Sequence, residues 1–311
     1  MTRAVPARSR SSDRRRATAD PRERVAVAVA PASQTMNAPL PPGPPPRPEV
    51  KAKIDALSDF VERIDVRSPS EFAEDHIPGA INLPVLDDTE RARTSAPPMC
   101  RVSAFDAERS APRSSPAISG RIVETYARDK PREWTPLVYC WRGGQRSRAL
   151  THVLCEIGWR AYQLDGGYRA YRRHVVASLA VLPHTLSFRL VCGLTGAGKS
   201  RLLAALADEG AQVLDLERIA CHRGSLLGDR PGDAQPSQKW FESRVHDALA
   251  AFDPQRVVYV ESESRKIGDA QIPEALLAAM RASPCVRVET PHSLRLALLK
   301  DEYTHFLGTR K

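Results

Sequence analysis

The chain has 311 residues, 42% of them hydrophobic, and a formal net charge of +9, long enough for two domains each with its own core. No stretch approaches the ~18 consecutive apolar residues of a membrane helix, and six scattered cysteines without a C-x-x-C pair speak against a disulfide framework or a zinc site. The basic surplus is no sign of a nucleic-acid partner. Residues 1–50 hold nine arginines against four acids (+5) and residues 91–121 six against two (+4), which together account for all of it.

Residues 1–50 are rich in Arg, Ser, Ala and Pro and end in "APLPPGPPPRPEV". Such a segment buries too little apolar surface to offset its chain entropy and is expected to be disordered. The globular pattern starts near 51. "FVERIDVR" (60–67) reads as a strand, and "SPSEFAEDHIPGAINLP" (68–84) as a short helix and a turn into another strand. Ser68 is placed to cap that helix, with Glu71 completing a capping box. Residues 91–121 show no period and are dense in Pro, Ser and Arg, as in an irregular insertion or a misread segment.

"TPLVYC" (135–140) reads as a buried strand ending on Cys140, followed by "WRGGQR" and the helix "SRALTHVLCEIGW" (147–159), whose spacing places Ala149, Val153, Leu154 and Ile157 on its apolar face and Gly158 at its stop. A cysteine at a strand's carboxyl end, before a glycine turn into a helix, faces converging backbone N–H groups and the positive end of the helix. Both favour the thiolate, the nucleophilic form. Gly143 and Gly144 permit the tight loop, and Arg142, Arg146 and Arg148 are placed to hold an oxyanion. The plain alternative is a buried strand-end cysteine beside surface arginines. Among the other cysteines, 155, 192 and 285 read as structural, 221 as a second candidate thiol, and 100 receives no role.

"AYQLDGGYRAYRR" (161–173) supplies a strand, a glycine turn and a helix. A second unit opens near 187 with the strand "FRLVCGL" (188–194), the loop "GLTGAGKS" (193–200) and a helix over 199–210. Strands over 211–217, 256–262 and 285–290 alternate with helices near 236–251, 272–282 and 292–307, which predicts a mostly parallel sheet covered on both faces. The loop fits G-x-x-x-x-G-K-S between strand and helix, the P-loop pattern: Gly193, Gly196 and Gly198 let N–H groups surround phosphate oxygens, Lys199 adds charge, and Ser200 is the type of residue that ligates Mg²⁺. Glu261 and Glu263 end a later strand where a metal-organising carboxylate would stand. Arg265 and Lys266 follow and suit a polyanion, or else all four form a solvated charged loop.

"IDVRSPSEFAEDHIPGAINLP", the cysteine loop and "LDGGYRAYRR" resemble a rhodanese domain, which implies a chalcogen carried on Cys140 and structural roles for Asp65 and Arg67. Arg146 follows the cysteine by six residues rather than the commoner five, a loop size shared with rhodanese-like phosphatases. With "GLTGAGKS", "VLDLERIACHRGSLLG", "PSQKWFES" and "VYVESESRKIG", the chain resembles the bacterial tRNA 2-selenouridine synthase family over roughly 51–90 and 122–311. The resemblance implies a rhodanese-like α/β domain (51–178) followed by a P-loop NTPase-like α/β domain (187–311). It implies conversion of wobble 2-thiouridine in tRNA to 2-selenouridine through an S-geranyl intermediate. Geranyl diphosphate and selenophosphate would be co-substrates and an enzyme producing selenophosphate a partner; the scattered cysteines point to a reducing cytoplasm as the location, and no membrane is expected. No tightly bound cofactor and no dedicated metal site are expected, Mg²⁺ being the one ion the phosphate loop would admit. Against the family pattern, residues 91–121 do not match and the carboxyl terminus reads as truncated. A P-loop small-molecule kinase with a regulatory rhodanese module, a rhodanese-type phosphatase and a non-catalytic scaffold stay open at this point.

Overall fold

A computed structural model describes residues 50–95, 119–224, 228, 232 and 234–302. The amino-terminal tail, most of the segment expected to be irregular, Cys100 and the last nine residues lie outside them. Two parallel sheets organise the described chain. The first has strands β1 (Lys51–Ala52), β2 (Arg63–Asp65), β3 (Ala80–Asn82), β4 (Leu137–Tyr139) and β5 (Tyr162–Leu164), in the spatial order β1-β5-β4-β2-β3. Its inner strand β4 is wholly buried, as a parallel strand covered on both faces should be. Helix α1 (Pro69–Glu74) links β2 to β3. Helix α2 (Asp88–Ser95) follows β3, α3 (Gln145–Ile157) links β4 to β5, and α4 (Gly167–Leu179) leaves β5.

The second sheet has strands β6 (Ser187–Cys192), β7 (Gln212–Leu214), β8 (Val257–Glu261) and β11 (Cys285–Arg287), in the order β11-β6-β8-β7. Helix α5 (Lys199–Asp208) follows β6, while α6 (Leu216–Ile219) and α7 (Gln238–Ala250) lie between β7 and β8. A small antiparallel hairpin, β9 (Lys266–Ile267) and β10 (Ala270–Gln271), precedes α8 (Glu274–Arg281), and α9 (His292–Glu302) follows β11. The α/β class and the alternation read from the sequence are both present.

Local chemistry explains several boundaries. The capping box at α1 forms, the Ser68 N–H donating to the Glu71 carboxylate at 3.2 Å. The α3 helix stops at Gly158, whose φ of 121° suits glycine. Arg67 and Asp65 form a buried ion pair at 2.6 Å, and Arg67 also donates to the Asp75 carbonyl, fixing α1 against the end of β2.

Four expectations need correction. The buried face of α3 is Ser147, Leu150, Thr151 and Leu154, whereas Ile157 is 51% exposed; the helix is rotated so that its first turn faces the Cys140 sulfur. The segment 91–121 is not irregular throughout, because α2 runs to Ser95 and helical turns resume at Ser119 and continue to Ala127. Cys192 and Cys285 are bonded to each other across β6 and β11, with Cα atoms 6.3 Å apart; ninety-three residues separate them, a pairing that spacing alone does not reveal. The hairpin at 266–271 was also not foreseen, its strands being too short to carry a period.

The two sheets belong to one compact unit. Phe72 stacks on His76, and His76 on Trp240 of α7, at 3.8 and 3.9 Å between ring centroids. Ser237 donates to the Glu74 carbonyl, Lys239 pairs with Glu74 at 2.7 Å, and Arg172 pairs with Glu242.

Candidate functional site

Two strand-loop-helix cradles are the candidate sites. In the first, Cys140 lies at the end of β4 and is 3% exposed. Its sulfur accepts hydrogen bonds from the Gly144 N–H and the Ser147 hydroxyl, each at 3.2 Å. Gly143 takes a φ of 66°. The loop is pinned from α4, where the Tyr168 and Arg169 N–H groups donate to the carbonyls of Cys140 and Trp141 at 2.9 and 3.0 Å. A Cβ on Gly167 would lie 2.3 Å from the Cys140 carbonyl oxygen, so only glycine fits that approach.

Cys140 opens onto a cavity of about 310 Å³ with Leu86, Arg91, Trp141, Arg142, Gly144, Gln145 and Arg146 in its wall. Of the three loop arginines, Arg142 and Arg146 share this wall, and Arg148 lines a separate recess with Lys51 and Gln163. Arg146 is already paired, its guanidinium 3.0 Å from Glu71. Burial alone would raise the Glu71 carboxyl, but the hydrogen bond and charge of Arg146, with Ser68 and Arg91 behind it, hold it below the ordinary value.

The second cradle joins β6 to α5. Gly196 and Gly198 have φ of 76° and 85°, and Lys199 and Ser200 begin the helix. A cavity of about 350 Å³ is lined by Gly193, Thr195, Gly196, Gly198, Lys199, Ser200, Glu261 and Glu263, and also by Glu217, Arg223 and Gly224. Lys199 Nζ lies 3.3 Å from Glu261, and the Ser200 hydroxyl reaches Glu261 at 3.1 Å and Glu217 at 3.3 Å.

Oxygens of Glu217, Glu261 and Glu263 fall within 4.8 Å of one another. Burial, and then the charges of Glu261 and Glu263, push the Glu217 carboxyl up to about 8; burial, and then Glu261, push Glu263 to about 7. Crowded hard oxygen donors that retain protons at neutral pH are chemically suited to Mg²⁺, whose charge would replace those protons. Ser200 and these three carboxylates are the residues that would hold it.

Arg265 and Lys266 are not in this cavity. Lys266 lies on the hairpin, and Arg265 pairs with Glu274 at 3.1 Å on the exposed surface. Sequence reasoning missed Glu217, Arg223, Ser147, Gln163 and the partner role of Glu71. Glu217 had a signal: β7 lies beside β8, and ligands in parallel sheets gather at the strands' carboxyl ends. Gln163 had none, being a single polar residue inside a buried strand.

Residues 186–310 match the family described as tRNA 2-selenouridine synthase AAA domain, and residues 47–174 match the rhodanese-like domain. The chain is 34% identical over 249 residues to tRNA 2-selenouridine synthase of Marinobacter nauticus, covering 78% of this chain and 65% of the relative. It is 32% identical over 254 residues to the same-named protein of Aeromonas salmonicida, covering 81% and 67%, and 36% identical over 232 residues to that of Hahella chejuensis, covering 73% and 59%. The chain thus spans about two thirds of the length of these relatives. With both cradles in the order the two matches require, this chain belongs to the tRNA 2-selenouridine synthase family.

Proposed function

We propose that this chain replaces the sulfur of wobble 2-thiouridine in tRNA with selenium. The glycine-loop cavity acts as a P-loop that binds the diphosphate of geranyl diphosphate, with Lys199 and the loop N–H groups drawing off leaving-group charge. The thiouridine sulfur attacks the geranyl carbon; the S–C bond forms, the C–O bond breaks, and diphosphate leaves. Selenium held at Cys140 then attacks C2 of the base. The C2–Se bond forms as the C2–S bond breaks, and geranylthiol leaves with one proton.

Selenophosphate is the selenium source in this reading. A selenium bonded to the Cys140 sulfur is two electrons more oxidised than selenophosphate. On loading, selenium attacks Cys140 held as a mixed disulfide: the S–Se bond forms, the S–S bond breaks and a thiol leaves, while the Se–P bond is cleaved by water and phosphate departs. On release a thiol attacks the Cys140 sulfur, the S–Se bond breaks with the electron pair going to selenium, and the mixed disulfide is restored. The observation that carries the reading is the Cys140 sulfur, with two hydrogen-bond donors on it, open to a cavity shared with Arg142 and Arg146.

Mass spectrometry of tRNA nucleosides after incubation with geranyl diphosphate and selenophosphate tests the proposal. Cys140→Ser is expected to leave S-geranyl-2-thiouridine and no selenouridine, and Lys199→Ala to impair the first step. Selenouridine formed at the wild-type rate by Cys140→Ser overturns the carrier role. The carboxylates beside Ser200 favour one second reading, a small-molecule kinase with a rhodanese module. It requires ATP turnover that survives Cys140→Ala.

A further inference from the structure

Gln163 stands in the middle of β5, 2% exposed, and its amide nitrogen faces the cysteine loop. Nε2 lies 3.0 Å from the Gly143 carbonyl oxygen, 3.1 Å from that of Gly144 and 2.8 Å from the Ser147 hydroxyl oxygen. Two amide hydrogens shared over three acceptors leave none for any other partner.

Two consequences follow for the sulfur. In a trans peptide the C=O and the next N–H point in opposite directions. Holding the Gly143 oxygen toward β5 therefore aims the Gly144 N–H the other way, at Cys140 Sγ, where it is found at 3.2 Å. Ser147 has one hydroxyl hydrogen and two acceptors at 3.2 Å, Cys140 Sγ and the Gly144 carbonyl. Gln163 Nε2 lies within hydrogen-bond reach of both that carbonyl and the serine oxygen; a negatively charged sulfur is the stronger of the two acceptors for the hydroxyl hydrogen, and a hydroxyl that accepts an amide N–H is the stronger donor.

We infer that Gln163 is the positioning residue that sets both donors on the Cys140 sulfur, with Ser147 as the hydroxyl that touches it. The inference deepens the proposed function, because it says how this chain stabilises a negative sulfur or selenium at Cys140.

The test is the rate of iodoacetamide alkylation at Cys140 in the full chain, followed by peptide mass spectrometry across pH. Ser147→Ala is expected to slow alkylation at pH 7 about tenfold by removing one donor to a charged sulfur, moving the profile to higher pH. Gln163→Met, matched in length and without a donor, is expected to move it further, since both donors lose their aim. Combined with Ser147→Ala it adds less than it does alone, as residues acting through one another should. Gln163→Glu keeps the shape and, while ionised, offers no N–H; its profile is expected to fall with that of Gln163→Met, which covers the case in which the Met variant does not fold. Profiles of both Gln163 variants that coincide with wild type, or effects that add in full to Ser147→Ala, overturn the inference. Selenium transfer is read separately on tRNA, so failure of the carrier role and failure of the Gln163 role give different results.

Discussion

The two cradles are built alike, a buried parallel strand running into a glycine turn and a helix, yet they present opposite electrostatics. Around Cys140 the turn converges donors on an atom of the protein itself, and Glu71, the carboxylate paired with the cavity's Arg146, is neutralised by it. Around Lys199 the turn faces three carboxylates, two of which keep protons near neutral pH. The first cradle is complete as it stands, its two donors already meeting the Cys140 sulfur. The second sets its lysine against a carboxylate, Lys199 Nζ lying 3.3 Å from Glu261, with Arg223 also in the cavity wall.

The largest effect expected from that contrast is at the two glycines that let each cradle close. Gly167 and Gly224 both have left-handed φ, 56° and 64°, so alanine costs ~1–2 kcal/mol at either. Only at Gly167 does the new Cβ meet backbone, 2.3 Å from the Cys140 carbonyl and 2.5 Å from the Gly143 nitrogen. At Gly224 it meets the ends of the Glu263 and Glu217 side chains at 2.8 and 3.0 Å, which can turn away. Urea melts should show Gly167→Ala losing roughly 3 kcal/mol or more together with ordered Cys140 reactivity, and Gly224→Ala close to the conformational cost alone. Equal losses at the two positions would remove the distinction between a rigid first cradle and an adjustable second one.

Next in size is the response of the second cradle to pH. A divalent cation must displace the protons on Glu217 and Glu263, so its apparent affinity is expected to rise about tenfold per pH unit for each proton released below pH 7. Calorimetry with Mg²⁺ in buffers of different ionisation enthalpy reads the proton count, which Glu217→Gln should reduce. Without metal the sign for stability is the reverse. The folded carboxyls titrate at about 7 and 8 against an ordinary 4.5, so the fold binds more protons than the unfolded chain. The stability these two carboxyls contribute is therefore full below pH 4.5 and falls as pH rises through 8. A metal-free Glu217→Gln variant whose stability falls as steeply as wild type between pH 7 and 9 would contradict the crowding of these charges.

A smaller pH effect belongs to α7, where it packs on α4. His246 lies 5.4 Å from His174 between ring centroids, and burial, then that neighbour, lowers it to about 4. The unfolded chain takes up this proton first, so stability is present above pH 6.5 and is lost as pH falls toward 4. Thermal melts of His246→Asn are expected to lose less between those pH values than wild type does.

Element order and both cradles were legible because each depends on local chemistry: a β-rich run, a glycine turn, a helix starting directly after it. What was not legible depends on contacts between elements distant in sequence. Ser147 was read only as the start of a helix, and the apolar period that put Ile157 inside missed the rotation that aims Ser147 at sulfur. Arg146 was assigned to an incoming anion because nothing in "WRGGQR" announces Glu71, seventy-five residues earlier. Arg265 and Lys266 drew attention by adjacency to Glu263, but the chain turns into a hairpin there and carries them out of the cavity.

Arg146 also supplies the smallest test of the contrast between the cradles. Its pair with Glu71 is partly exposed, so its direct contribution to stability is ~0.5–1 kcal/mol, and Glu71→Gln should cost little more than that plus part of the capping box at Ser68. The informative change is in the cavity. With its carboxylate partner neutralised, Arg146 gains freedom to face an anion beside Cys140, where Arg142 already lines the wall. Phosphate should then protect Cys140 from alkylation at roughly two- to threefold lower concentration in Glu71→Gln than in wild type, a gain of ~0.5 kcal/mol. No change in protection would mean that the Glu71 pair leaves Arg146 as available to the anion as an unpaired arginine, and that Glu71 serves only to hold α1 against the cysteine loop.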